Sequence, residues 1–476
     1  MKSLLAAVLL ATSAWAADKP NIIFVLVDDM GWTDLGCFGS KFYETPNIDR
    51  LATQGMRFTD AHSSCTVCSP TRASVLTGQY PARLHITDWI AGHVKPKAKL
   101  RVPDWTMRLP LETMNIAKAL KPAGYATASI GKWHLGKDEF WPDKQGFDLN
   151  VAGCDKGQPP SYFAPYKIQT LSEGPAGEFL SDRLTAEAVK FIEQNKKRPF
   201  FLYLPHYAVH TPLTAKPAVI EKYKKKADPS APHNNPTYAG LVESVDDSIG
   251  VLLRKLDELK LADSTIIIFT SDNGGLLRIT SNVPLRAGKG SAYEGGVRVP
   301  LIVKWPGVTK PGSICHAPVI SADYFPTMLA MAGVPLPGSV VDGECIEPLL
   351  RQSGTLKRDA LYWHYPHYHP GGATPYGAIR AGDFRLVEFY EDGHVELYNL
   401  KDDLSETQDL AAKLPDKTAA LRQQLHDWRQ RVGAQMPTPN PAYDPNADDE
   451  KPKPKAKAKA KQSAKAEVER RVLEES

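Results

Sequence analysis

Residues 21–29, "NIIFVLVDD", form an unbroken apolar, largely β-branched run that ends in two aspartates. A run of this length without polar alternation reads as a strand buried on both faces of a parallel sheet. Asp28 and Asp29 then stand at its C-terminal end. A second run of the same kind, "STIIIFTSDNGG", predicts a strand over 265–270 that ends in Asp272, Asn273 and two glycines. In open α/β sheets ligands gather outside the carboxyl ends of strands, so the two polar tips are expected to face one site. Together they offer four oxygen ligands, which suit a hard divalent cation such as Ca²⁺ or Mg²⁺ better than zinc. For either pair alone, capping of the next turn is the simpler reading.

Outward from these strands, "KRPFFLYLPHYAVHTP" predicts a strand over 200–204 that runs into a loop carrying His206 and His210. Leu241, Val245, Ile249, Leu252 and Leu256 recur at helical spacing and predict a core-packing helix over 238–260. Strands alternating with helices imply an α/β domain over 17–355. The composition then changes. Residues 384–390 and 395–400 read as two short strands around the turn Asp392-Gly393, a hairpin signal, and a helix is expected over 417–432. This predicts a smaller α+β subdomain over 356–436. Residues 437–476 are rich in Pro, Ala and Lys with little to bury, and are expected to be disordered.

The 476 residues are 42% hydrophobic and 24% charged, with a net charge of +4. No basic stripe interleaved with aromatics crosses the body, so nucleic acid is not an expected partner. The N-terminus has an early lysine, an apolar run over 4–11 and Ala14-Trp15-Ala16, which read as a signal peptide over 1–16. No segment is long enough to read as a transmembrane span. The expected product is an exported protein, periplasmic or secreted.

One stretch, "SSCTVCSPTRASVLTG" over 63–78, puts Cys65 and Cys68 three positions apart among only six cysteines. A redox pair would open a helix in a thioredoxin-like βαβ unit, and nothing nearby reads that way. A zinc site would need a second such pair or spaced histidines. A buried structural thiol fits Cys65 but leaves Pro70, Arg72 and Thr77-Gly78 unexplained.

"CSPTRASVLTG", 68–78, resembles the sulfatase signature, a cysteine, proline and arginine followed by Thr-Gly. "PNIIFVLVDDMGW", "GKWHLG", "HTP", "FTSDNGG", "GKGSAYEGGVRVP" and "ELYNL" resemble further sulfatase blocks in the family's order, over about 20–410. The resemblance implies the alkaline-phosphatase-like α/β fold, a large mixed sheet flanked by helices, with a C-terminal subdomain of antiparallel sheet plus helix. It also implies that a separate maturase oxidises Cys68 to Cα-formylglycine. Asp28, Asp29, Asp272, Asn273 and the modified Cys68 would then hold one calcium ion. Arg72 would lie beside the hydrated aldehyde, Lys132 and His134 would flank nucleophile and sulfate, and His210 and Lys289 would bind sulfate and serve the leaving oxygen. Asp272 is a further proton acceptor on this reading, and Cys65 is structural.

The resembling family acts on aryl, steroid and sugar sulfates. Two stretches are candidate specificity loops, "HITDWIAGH" with Trp89 and "YWHYPHYHPGG" with His364, His367 and His369. Aromatics mixed with polar side chains suit sugar recognition, and domain-interface packing is the alternative for Trp89 and Tyr362. The expected substrate is a sulfated carbohydrate of galactose or N-acetylgalactosamine type, attacked exo. The alternatives are a phosphodiesterase or phosphonate monoester hydrolase of the same superfamily, and a non-catalytic glycan-binding protein if Cys68 stays a thiol.

Overall fold

The computed structural model describes residues 19–447. The expected signal peptide and residues 448–476 of the expected tail lie outside them. Among the described residues, nine strands form one large sheet. Its spatial order is Val319–Ile320, Met56–His62, Arg298–Lys304, Thr265–Ser271, Asn21–Val27, Phe200–Pro205, Ala126–Ile130 and Leu149–Val151, with Ser313–Cys315 also against Met56–His62. The sheet is mixed because Arg298–Lys304 runs antiparallel to both of its neighbours.

Asn21–Val27 lies at the centre, parallel to Phe200–Pro205 on one side and Thr265–Ser271 on the other. Its alternation explains why every residue must be apolar. Ile23, Val25 and Val27 pack with the helices Leu180–Asn195 and Pro236–Glu258 on one face. Ile22, Phe24 and Leu26 pack on the opposite face with the helices Cys68–Thr77, Ile116–Leu120 and Tyr324–Met331. Both faces are covered, so an exposed polar position would gain nothing on either side. Pro236–Glu258 begins two residues ahead of the expected span. Asn235 caps it by accepting from the amides of Thr237 and Tyr238, and Pro236 occupies the first turn, where no amide partner is lost.

A second, four-stranded antiparallel sheet comprises Ala360–Tyr365, Tyr376–Ala381, Phe384–Phe389 and Val395–Asn399. The expected turn is present, with Gly393 at φ 75°. The helix Pro415–Val432 covers this sheet, and Trp428 stacks on Tyr362 at 4.8 Å with ring planes 5° apart. A buried ion-pair network ties the second sheet to the first. Arg380 donates to Asp60 at 2.6 Å, and Arg385 and Arg298 each donate to Glu294 at 3.1 Å.

The tail differs from expectation in its first residues. Thr438–Pro439 pairs antiparallel with Leu100–Arg101, and Asn440 donates to the carbonyls of Pro96 and Ala98 at 2.9 and 2.7 Å. Backbone pairing and an asparagine amide order this short stretch where composition alone predicts disorder. No helix among the described residues is long and apolar enough to cross a membrane.

Candidate active site

The register pairs Val27 with Ser271, so Asp28 and Asp272 leave the sheet side by side. The Asp272 amide donates to the Val27 carbonyl at 3.0 Å, and the Asp29 amide donates to Asp272 Oδ1 at 3.1 Å. Asp29 adopts φ 66°, a left-handed conformation unusual outside glycine, which folds its carboxylate back over the strand ends. Asn273 Nδ2 donates to Asp29 Oδ1 at 2.8 Å.

Cys68 opens the helix Cys68–Thr77, all ten residues of which are buried. Its Sγ lies 3.6 Å from Asp28 Oδ1 and 3.5 Å from Lys289 Nζ. One turn further, Arg72 donates to Asp272 Oδ2 from Nε and Nη2 at 3.0 and 2.7 Å, and to the Lys132 carbonyl from Nη1 at 3.0 Å. Its Nη2 also stands 3.6 Å from Asp28. The guanidinium therefore holds carboxylates and the Lys132 backbone in place beside residue 68.

Lys132 and His134 follow the strand Ala126–Ile130. Their loop crosses the end of Phe200–Pro205 so closely that a Cβ on Gly131 would come within 1.9 Å of the Pro205 carbonyl, at φ 126°. Only glycine fits there. Lys132 Nζ pairs with Asp28 Oδ2 at 2.7 Å in full burial. Lys289 Nζ bridges both oxygens of Asp29 at 2.6 and 2.8 Å, and His210 Nε2 lies 3.6 Å from the same carboxylate. The residues expected from five distant stretches thus meet around Cys68. His206, on the same loop as His210, is instead a core histidine facing Ser248 Oγ at 3.4 Å.

Burial pushes the Cys68 thiol up to about 12, against the pull of Lys132 and Lys289. Burial alone would raise Asp29, yet Lys289, His210 and Lys132 hold it well below the usual carboxylate range. Burial and then Asp28 raise Asp272 to about 6. Burial lowers Lys289, but Asp29 more than offsets this and keeps it an ammonium. Burial brings His210 down to about 3, and its Nδ1–H donates to the Thr211 carbonyl at 2.9 Å. Burial and Lys132 also hold His134 neutral. Its Nε2–H donates to the Ile90 carbonyl, which leaves Nδ1 a buried lone pair without a partner.

The donors fit a hard cation. Ligand atoms of Asp28, Asp29, Cys68 and His210 all lie within 4.8 Å of one another. Asn273 Oδ1 is buried with no hydrogen-bond partner, an arrangement that costs about 1–3 kcal/mol unless something ligates it. Asp60, His62 and Glu294 cluster equally tightly, but Arg298, Arg380 and Arg385 already neutralise them, which makes a strut and not a metal centre.

The expected substrate residues fare differently. Both nitrogens of His364 are occupied, Nδ1 accepting from Tyr390 at 2.8 Å and Nε2–H donating to the Gln435 carbonyl at 2.9 Å. His367 is fully buried, with Nε2 on Thr87 Oγ1 at 2.8 Å and its ring on Trp105. Trp89 packs half-buried against the core of the second sheet. Two further residues belong near the centre, Ser69, which no sequence signal singled out, and His369, from the expected specificity loop. Ser69 donates to the His134 carbonyl at 2.9 Å and accepts from the Ile90 amide at 3.2 Å, joining the helix to the loops that carry His134 and Ile90. His369 sits against Gly290, next to Lys289. Ser69 lies inside the signature stretch without a distinctive signal, whereas His369 stood out as the third histidine of "YWHYPHYHPGG".

The family profile described as Sulfatase matches residues 20–334, and that described as N-sulphoglucosamine sulphohydrolase, C-terminal, matches residues 288–432. A protein named Sulfatase from Formosa agariphila is 34% identical to this chain, covering 89% of it and 92% of its own length. N-acetylgalactosamine-6-sulfatase from Homo sapiens is 34% identical over 73% of this chain and 69% of its own. The solved structure of Ps i-CgsB in complex with k-i-k-neocarrahexaose superposes with a TM-score of 0.75 at 30% identity, covering 90% of this chain and 95% of that one.

Proposed function

The chain belongs to the sulfatase family and is a sulfuric ester hydrolase; from that premise we propose that it removes sulfate from sulfated carbohydrates of galactose or N-acetylgalactosamine type, using a formylglycine made from Cys68 and one calcium ion. The observation that carries this reading is the setting of Cys68. Two lysines and three carboxylates converge on a thiol that burial keeps protonated. Such a thiol is a poor nucleophile and a poor ligand for a hard cation. An oxygen-bearing residue at the same position suits both tasks. The sugar substrate is supported by the relatives, one named for N-acetylgalactosamine-6-sulfate chemistry and one bound to a neocarrahexaose.

Asp28, Asp29, Asp272, Asn273 and residue 68 would hold the calcium. With the aldehyde hydrate at position 68, these groups supply a hydroxyl nucleophile and positive charge at the sulfate. The protein's own residues divide the remaining work. Lys132 and Lys289, with His210, line the cup in which the sulfate oxygens are bound and their growing charge is stabilised. The unpartnered Nδ1 of neutral His134 takes a proton at the nucleophile. The departing alkoxide must receive a proton, and Lys289 already carries one, whereas His210 is neutral with its Nδ1–H engaged. Arg72 keeps Asp272 and the Lys132 backbone in register beneath the reacting group. The N-terminal run outside the described residues is proposed to export the protein to the periplasm or beyond.

The test is sulfate release from a panel of sulfated mono- and oligosaccharides and an aryl sulfate, by protein co-produced with a formylglycine-generating enzyme and with Cys68→Ala as control. Release from a sugar sulfate that vanishes in the variant is the expected result. With the aldehyde confirmed by mass, release of phosphate from phosphoesters and of no sulfate from any sugar would overturn the reading.

A further inference from the structure

We propose that the mouth of the site holds a second anion-binding position, formed by His369 and Arg278 beside Lys289, which reads another negatively charged substituent on the same substrate. This rests on the sulfate-hydrolysing reading of the central cup. The tripeptide Gly288-Lys289-Gly290 is the pivot. Its backbone is fixed by the Lys289 amide on the Gly275 carbonyl at 3.0 Å and the Gly290 amide on Thr66 Oγ1 at 2.8 Å. On one side, the His369 ring fills the space a Cβ on Gly290 would need, 2.0 Å from Nδ1. On the other, Leu277, the chain neighbour of Arg278, reaches to within 3.2 Å of where a Cβ on Gly288 would stand.

His369 has a fixed tautomer. Its Nδ1 accepts from the Gly371 amide at 2.9 Å, so the ring proton of the neutral form sits on Nε2. The ring is held low, to about 4, by burial first and then by Lys289, with His93 and Arg278 acting in the same direction. These three groups therefore lie within electrostatic reach of it. The carboxylate acting on it, Asp29, is bridged by Lys289. Arg278 is exposed and has no carboxylate within ion-pair distance among the described residues. His369 Nε2–H and the Arg278 guanidinium are thus donors without protein acceptors, next to the lysine that binds the scissile sulfate. On this proposal the alcohol portion of a bound substrate leaves the cup past them. A sulfate ester or a carboxylate on a nearby ring position can accept from Nε2–H and pair with Arg278. Because Arg278 is exposed, its share is screened by salt.

The experiment compares kcat/KM for matched sugars that carry one sulfate only, two sulfates, or one sulfate and a carboxylate, in wild-type protein and in Arg278→Ala, Arg278→Lys and His369→Gln. The expected preference for a dianionic over the monosulfated sugar is about ten- to a hundredfold. It should shrink toward unity in Arg278→Ala and with added salt, and recover in part in Arg278→Lys. Whether the disulfated or the carboxylated sugar gains more identifies the anion. Sulfate release with equal kcat/KM for mono- and dianionic sugars overturns this inference and leaves the proposed function standing, as does a preference indifferent to both Arg278→Ala and His369→Gln. Loss of all sulfate release with the aldehyde confirmed overturns the proposed function. Calorimetric binding of the same sugars to the Cys68→Ala protein then decides the subsite by itself, with equal affinities counting against it.

Discussion

Arg72→Lys keeps the positive charge beside residue 68 and removes the planar fork that delivers it. In the native site the fork makes two charge-assisted bonds to Asp272 and one to the Lys132 carbonyl, with no solvent access. A lysine ammonium at the end of a flexible stem serves one of these acceptors well and leaves the others. Hydrogen bonds to charged groups contribute about 1.5–3 kcal/mol, and a stranded buried carbonyl costs about 1–3 kcal/mol. After relaxation the expected loss is roughly 3–5 kcal/mol, the range seen when one partner of a buried ion pair is removed. Unfolding entropy of roughly 2.1 cal/mol/K per residue makes each kcal/mol worth about 1 °C in a chain of this length. The thermal midpoint should therefore fall by about 3–5 °C. Asp272, no longer clamped, should also hold calcium roughly ten- to a hundredfold less tightly, as when an outer partner of a ligand is lost. Scanning calorimetry with and without calcium, alongside sulfate release, measures all three effects. A midpoint within about 1 °C of wild type with unchanged calcium dependence would refute the idea that Arg72 works by holding Asp272.

Asn273→Ala removes the unpartnered Oδ1 and the amide that steadies Asp29; calcium affinity by calorimetry should weaken about tenfold or more, and an unchanged affinity would exclude Asn273 as a ligand. Glu406 predicts a pH dependence of stability. Burial, with Glu294 adding to it against Arg385, raises its carboxyl to about 8, so the folded chain keeps a proton that the unfolded chain releases at ordinary carboxylate pH. Stability should fall as pH rises from about 4.5 to about 8 and level off above. Glu406→Gln keeps an acceptor for the Glu294 amide and should flatten that slope, raising the midpoint at pH 8 but not at pH 4; parallel pH profiles for the two proteins would count against it.

The central strands were legible because burial on both faces leaves a signature that needs no context. Residues 21–27 and 265–271 can be read directly, and their shared polar tips follow from parallel pairing. The helix Cys68–Thr77 gives no such signal. It is buried on every side among polar groups that bond to the site, so Ser69, Thr71, Arg72, Ser74 and Thr77 interrupt any apolar periodicity. Its position could be found through its chemistry, the Cys-x-Pro-x-Arg pattern, and not through its hydrophobicity. The ordered start of the tail was missed for the opposite reason, since a two-residue pairing and a single asparagine amide leave no compositional trace.

The histidine-rich loop shows where sequence reading reaches its limit. His364, His367 and His369 alternate along six residues with tyrosines, and spacing alone makes them equivalent. What separates them is which ring nitrogen remains free. His364 spends both on Tyr390 and the Gln435 carbonyl, His367 is enclosed between Thr87 and Trp105, and His369 spends one on Gly371 beside the backbone that carries Lys289. Gly371 is local, but the partners from residues 87, 105, 390 and 435 that decide the rest of that outcome lie beyond the reach of a local pattern. Catalytic groups that share one small anion are constrained together and leave a motif. The residues that read the rest of the substrate are constrained by packing partners scattered along the chain, so they emerge only when the fold brings those partners into contact.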